Sequence, residues 1–258
     1  LINLGFDAPV IKSSNNSIEY IQKVKKYYEY KVIVKWKRKG KTIEGFWRVE
    51  NSKPYFFVGK ECAQKGFDEE FKSHLRWWNT FWSKSSIKLP DKKLERQYYL
   101  ELYKFGSTAR SYAPPITLQA VWTADNGKIP PWKGDIHNDL NTQLSYWLSY
   151  SGNRLKEQEG FLNWLWDIRK EAKEYTKRYF NCEGLNIPGV STLKGKAMGG
   201  WIQYSLSPTV SAWLAHHFYL HWRYSMDRKF LKERAFPFIS EVAQLDRKST
   251  RLNSSHRT

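Results

Sequence analysis

At Phe67 the apolar period of this chain lengthens from two residues to between three and four, which limits the fold to a β segment followed by an α segment. Before the switch, Lys31-Val-Ile-Val-Lys-Trp36 puts Val32, Val34 and Trp36 on one face, the alternation of a half-buried strand. Gly40 punctuates a basic turn, Thr42–Val49 is rich in β-formers, and Tyr55–Val58 is a further short candidate strand. Strands with no closing partner predict that residues 1–66 are the C-terminal part of a β-sandwich. After the switch, Phe71, Leu75, Trp78 and Trp82 share a helical face led by Asp68, Glu69 and Glu70, which suit a helix N-terminus.

The α segment has a rhythm of its own. Asp91 is a good N-cap for a helix running through Leu94, Tyr98 and Leu102 towards Gly106. A polar stretch punctuated by Pro and Gly fills 107–138, and irregular segments of that length are uncommon unless they build a binding surface. Helices are predicted over about 140–150 and, in one long piece, 158–180, with Phe161, Leu165, Ile168 and Tyr175 near one face. A second Gly-rich loop covers 181–205, and a last helix pair lies at Val210–Tyr224 and Lys229–Gln244, the latter interrupted by Pro237. Paired helices separated by long loops fit a mainly α fold, part of an (α/α)6 toroid whose loops form a pocket. On this reading 67–106 are a helical link with the first barrel helix, and 107–245 are a partial barrel that cannot close its own core.

Composition narrows the ligand. The chain has 258 residues, among them 13 Trp, 16 Tyr and 14 Phe, more rings than core filling requires. Exposed rings stack on sugar C–H faces or on nucleobases. The net charge of +18 favours nucleic acid on its face. The cations do not form a track, however. Apart from a short run at Lys35, Lys37, Arg38, Lys39 and Lys41, they alternate with Glu as on a solvated surface. Nucleic-acid binding is therefore the lesser alternative, and it predicts a steep salt dependence. No apolar run approaches the ~18–20 residues of a membrane helix, so no membrane partner is expected. Cys62 and Cys182 make neither a metal motif nor a disulfide framework.

Residues 246–256, Asp-Arg-Lys-Ser-Thr-Arg-Leu-Asn-Ser-Ser-His, resemble the conceptual translation of a sequencing adapter, so 246–258 are set aside as an artefactual tail. Without them the net charge falls from +18 to +15. The expectation is that both ends are cuts.

The densest chemistry lies in residues 118–147. Pro130-Pro131-Trp132 is a stiff backbone presenting an indole. Asp135, His137, Asn138, Asp139, Asn141 and Gln143 follow, leading into a predicted helix. Asn138 or Asp139 could simply cap that helix, but capping uses one residue or two. Six polar groups between Trp132 and Trp147 read instead as a surface for sugar hydroxyls.

Leu118-Gln-Ala-Val-Trp122, Pro130-Pro-Trp132 and Asp139-Leu-Asn-Thr-Gln-Leu-Ser-Tyr-Trp147 resemble the signature of glycoside hydrolase family 95, which holds α-L-fucosidases and relatives acting on α-L-galactosides. The resemblance covers about residues 67–245. It implies a six-hairpin barrel and an inverting hydrolase, without cofactor or metal, that removes a terminal α-L-fucose or related sugar from oligosaccharide or polysaccharide. In the family, an Asn-x-Asn pair at the start of an inner helix orients the attacking water, and a His two residues earlier holds the sugar. Asn141 corresponds to the second Asn and His137 to the His, with Trp132 beside the sugar. Asp139 stands where the family has its first Asn. A carboxylate can take the water's proton where an amide can only position it. Asp139 and Asn141 are thus the candidate catalytic residues, and L-fucose specificity stays open because Asp139 and Ser145 depart from the family.

The family's general acid is a Glu C-terminal to the stretch resembling 227–245. Neither Glu233 nor Glu241 takes its place, since both occupy surface-like helix positions. The resemblance therefore implies that the fragment alone is inactive. It also implies an extracellular or periplasmic setting. A non-catalytic carbohydrate-binding relative of the same fold is the alternative, separable by whether that Glu exists downstream. His217 and His221, spaced i and i+4, could present ligands to zinc. The residues between them are Phe218, Tyr219 and Leu220, with no Glu base, which favours helix packing.

Overall fold

The computed structural model describes residues 2, 5–25, 28–51, 66–120, 122, 131–199, 202–207 and 209–254. The candidate strand Tyr55–Val58, Cys62, Pro130 and most of 121–130 lie outside them. The chain divides into two compact units, Leu1–Thr80 and Phe81–Thr258.

The first unit holds an antiparallel meander of β1 (Val10–Ser14), β2 (Ser17–Lys25), β3 (Tyr28–Lys39) and β4 (Thr42–Asn51), in that order. Register places Ile18, Val34 and Trp47 in line, and likewise Ile11, Tyr20, Val32 and Val49. One face of the sheet is thus apolar, and it is open to solvent: Trp47 is 71% and Val49 51% exposed. Gly45 lies opposite Trp36, where a Cβ would come within 2.8 Å of the Lys35 carbonyl. Helix α1 (Phe67–Trp82) carries the expected acidic first turn. Its anticipated buried stripe is not buried, however, because Phe71 and Leu75 are both exposed and the side chain sunk in a core is Phe81.

The second unit is helical. Asp91 caps α2 (Lys92–Thr108) as expected, its Oδ1 accepting from the amides of Lys93 and Leu94 at 2.8 and 3.3 Å. A short 3-10 turn (Pro131–Gly134) and β5 (Ile136–His137) precede α3 (Asn141–Ser151). The single long helix expected over 158–180 is two, α4 (Leu155–Asp167) and α5 (Arg169–Phe180). Nothing local forces this break, since no Gly or Pro lies there. Ile168, at φ −81° and ψ 0°, turns into the core, where it packs against Gly195 of the second loop. That loop contains β6 (Val190–Ser191) and a single turn, α6 (Ile202–Ser205). Helix α7 (Thr209–Ser225) follows.

The last helix begins as α8 (Arg228–Phe230), capped by Asp227, and widens into a π turn at Leu231–Ala235 before α9 (Phe236–Ser254). Pro237 was expected to interrupt this helix. It lies just inside α9, directly after the π turn, and the helix runs on through it. The helical backbone continues without a break past residue 245.

Face-to-face and edge-on rings knit the core of this unit. Tyr146 stacks on Phe161 at 4.4 Å and meets Phe105 edge-on at 5.8 Å, while Phe218 stacks on Phe238 at 4.2 Å. The protein is mainly α, with an N-terminal sheet. Among the described residues, no helix is long and apolar enough to cross a membrane.

Candidate active site

The two long loops meet and are pinned together. Strands β5 and β6 pair antiparallel, Ile136 with Ser191 and His137 with Val190. The Asn138 amide donates to the Gly189 carbonyl at 2.6 Å, and Gly189 donates to Tyr204 O at 2.9 Å. Asn138 is fully buried, its Nδ2 donating to Pro188 O at 3.1 Å and Ser191 Oγ at 3.0 Å. Gly189 has no room for a side chain, since a Cβ would lie 2.2 Å from Tyr204 O. The loop is braced behind by Ser211, which accepts from the Ile187 amide and donates to Asn186 Oδ1, both at 2.8 Å.

A cleft of about 540 Å³ lies along this clasp. Asp135, His137, Asp139, Asn141 and Trp132 line it from the first loop and the start of α3. Val190, Met198, Gly199 and Tyr204 line it from the second. Trp132 is 55% exposed, at φ +59°, a strained conformation for a bulky residue, and its indole meets the His137 ring edge-on at 5.5 Å.

At the centre an imidazole stands between two carboxylates. His137 Nδ1 lies 3.2 Å from Asp135 Oδ1, and Nε2 lies 3.1 Å from Asp139 Oδ1. Burial pushes the Asp135 carboxyl above its usual range, an effect opposed by its hydrogen bond with His137 and reinforced by the Asp139 charge. The His137–Asp139 contact is of ion-pair length but lacks hydrogen-bond alignment. Asp139 Oδ1 is buried, with no hydrogen-bond donor among the described residues. Such an oxygen is costly unless something supplies the donor. Water or a sugar hydroxyl at the cleft would do so.

Asp139 does not cap α3. The N-cap is Leu140, with no side-chain hydrogen bond to the helix amides. The capping account of Asn138 and Asp139 therefore fails on geometry. Of the six polar residues expected to read hydroxyls, Asp135, His137, Asp139 and Asn141 reach the cleft. Asn138 and Gln143 turn inward instead, Gln143 Nε2 donating to the Asn138 carbonyl. Trp147 is drawn away as well, meeting Trp213 and His216 of α7 edge-on at 6.5 and 6.0 Å.

Val190, Met198, Gly199 and Tyr204 were not expected from the sequence as site residues. The Gly-rich character of 181–205 marked their loop, but nothing in the sequence says which of its residues face Asp139. A second cavity of about 470 Å³, lined partly by Gln203, Thr209 and Trp213, shares Asp139 and Tyr204 with the first.

His217 and His221 are buried in helix packing. Tyr150 Oη lies 2.6 Å from His217 Nδ1, and His221 Nδ1 lies 3.5 Å from Gln158 Oε1. Burial lowers the His217 pKa to about 3, helped by neighbouring His216, and that of His221 to about 4.

The chain is 28% identical over 145 residues to "Alpha-L-fucosidase 2" of Arabidopsis thaliana, covering 54% of the chain and 17% of that protein. It is 25% identical over 220 residues to a protein described as alpha-fucosidase A of Aspergillus niger, covering 74% of the chain and 27% of that protein. The chain thus spans about a quarter or less of these relatives. In structure it is similar to a protein described as a kojibiose phosphorylase from the human microbiome, with a TM-score of 0.63 and 14% identity, over 92% of this chain and 36% of that one. That likeness concerns the fold. The sequence profile of the glycosyl hydrolase family 95 catalytic domain matches residues 76–251, more than half of the chain. The chain belongs to glycosyl hydrolase family 95.

Proposed function

We propose that this chain carries the water-positioning half of the active site of an inverting glycosidase acting on terminal α-L-fucose or a related sugar such as α-L-galactose. The buried Asp139 Oδ1 carries the reading, because it lacks a donor and sits beside Asn141 in a cleft shared with His137. In this account Asn141 orients the attacking water and Asp139 takes its proton as the water reaches the anomeric carbon. Asp135 holds His137 in place, so that its imidazole and the Trp132 ring grip the sugar. Inversion requires a carboxylic acid ~6.5–9.5 Å from the base, with room for water between them.

No carboxyl group in the described cleft other than Asp135 and Asp139 could serve as that acid, and Asp135 is committed to His137. By the family resemblance the acid is a Glu C-terminal to the stretch like 227–245, so the chain alone is expected to bind sugar without turning it over. The paired helices form part of an (α/α)6 toroid, and the open apolar face of the sheet is that of an incomplete β-sandwich. The relatives' names support the sugar: both are called fucosidases.

Proton NMR of the first product tests the mechanism. The parent enzyme should release the β-anomer from a labelled α-L-fucoside, while residues 1–245 should release nothing. Release of the α-anomer, or turnover by the shorter chain, would overturn the account.

A further inference from the structure

Asp139 lines two cavities, and the second, of about 470 Å³, has a chemistry of its own. The end of the second loop and the start of α7 build it. Gln203 and Tyr204 come from α6, Ser207 follows, and Thr209, Val210 and Trp213 come from the first turns of α7. Val210 and Trp213 are three residues apart and share one side of that helix. Val210 is buried, Trp213 half-buried and Gln203 exposed, so the lining runs from apolar to polar.

Residues that do not line the cavity hold it in shape. The Tyr204 carbonyl accepts from the Gly189 amide at 2.9 Å, and the Ser205 carbonyl accepts from Tyr175 Oη. Trp147 meets the Trp213 indole edge-on at 6.5 Å. Within the lining, Ser207 Oγ stands 3.3 Å from Thr209 Oγ1.

The lining carries an indole, an amide, three hydroxyls and a single charge, that of Asp139. The chain has 43 Lys and Arg against 25 Asp and Glu, yet none of those cations is among the described residues that line either cavity. An anionic group placed here would face the Asp139 carboxylate with no cation in the lining to offset it.

We propose that this cavity takes a second, uncharged sugar unit of the glycan whose terminal unit occupies the cleft, which makes the substrate a neutral glycan rather than a sulfated or uronic one. This rests on the assignment of the terminal sugar to the cleft. Trp213 stacks on the apolar face of the second unit, and Gln203, Ser207 and Thr209 exchange hydrogen bonds with its hydroxyls. The volume falls within the ~300–1,000 Å³ of small-molecule sites.

Titration calorimetry and saturation-transfer NMR of the full chain test this. The probes are methyl α-L-fucoside, a panel of neutral α-L-fucosyl disaccharides differing in linkage, and the sulfated form of the tightest one, its ester on the second sugar. At least one disaccharide should bind about tenfold or more tightly than the methyl fucoside, with saturation reaching the protons of its second ring. The sulfated form should lose most of that gain. Trp213→Ala should abolish the gain and leave methyl fucoside affinity unchanged, which also shows that the variant is folded. Gln203→Ala, at an exposed position, should reduce the gain about three- to tenfold. If neither the methyl fucoside nor any disaccharide binds, the assignment of the cleft falls and this inference with it. If the methyl fucoside binds but no disaccharide binds more tightly, only this inference falls. The same holds if the gain survives Trp213→Ala and Gln203→Ala, or if the sulfated form binds as tightly as the neutral one.

Discussion

At the scale of single residues, burial and hydrogen-bond supply decide which groups work and which hold. His217 and His221 belong to the second kind. Both have folded-state pKa values depressed below the unfolded 6.5, so the folded protein resists taking up protons that the unfolded chain accepts. Their stabilising contribution is complete above about pH 6.5 and is lost as pH falls through 4 and 3. Thermal unfolding followed between pH 7 and 4 should show a steep fall, to which His221 contributes up to about 3 kcal/mol. His221→Gln should flatten it. Trp132 is proposed to belong to the first kind. A bulky residue at φ +59° costs about 1–2 kcal/mol, so Trp132→Gly should raise the melting temperature while weakening sugar binding in a titration calorimeter. A variant that lost stability instead would show that the indole serves packing.

At the scale of elements, the site depends on a two-residue ladder, β5 with β6, that ties two loops into one wall. Gly189 makes the closest approach there, and Gly160 makes a comparable one on α4, where a Cβ would lie 2.3 Å from Arg110 O. Alanine at either position should destabilise the protein by about 1–3 kcal/mol, measured by denaturant unfolding. Gly189→Ala should also abolish sugar binding, whereas Gly160→Ala should leave affinity intact below its melting temperature. Such contacts set the limit of what the sequence makes legible. The helix starts at Asp68 and Asp91, the strands of β3 and β4 and both long loops are visible in local period and capping residues. The break at Ile168 is not, because no Gly or Pro marks it and Ile168 packs against Gly195, distant in sequence. The exposure of Phe71 and Leu75 on α1 escapes for the same reason, since an amphipathic period predicts a face but not what covers it.

At the scale of the whole molecule, the chain is two units, one built on the N-terminal sheet and one helical, whose cleft holds an imidazole between two carboxylates. Four of the six polar residues in 135–143 were legible as cleft residues because their types and their position before α3 already suggested hydroxyl recognition. The inward turn of Asn138 and Gln143 was not, since it follows from the β5–β6 clasp. Family membership covers the helical unit, since the profile of the glycosyl hydrolase family 95 catalytic domain matches residues 76–251, and Asp139 is the residue on which the proposed mechanism turns. The most direct test is the steady-state kinetics of the parent enzyme on an α-L-fucoside, with Asp139 intact and as Asp139→Asn. A base in the water's path predicts that kcat falls by about 10²–10⁴ while KM changes little; an unchanged kcat would contradict it.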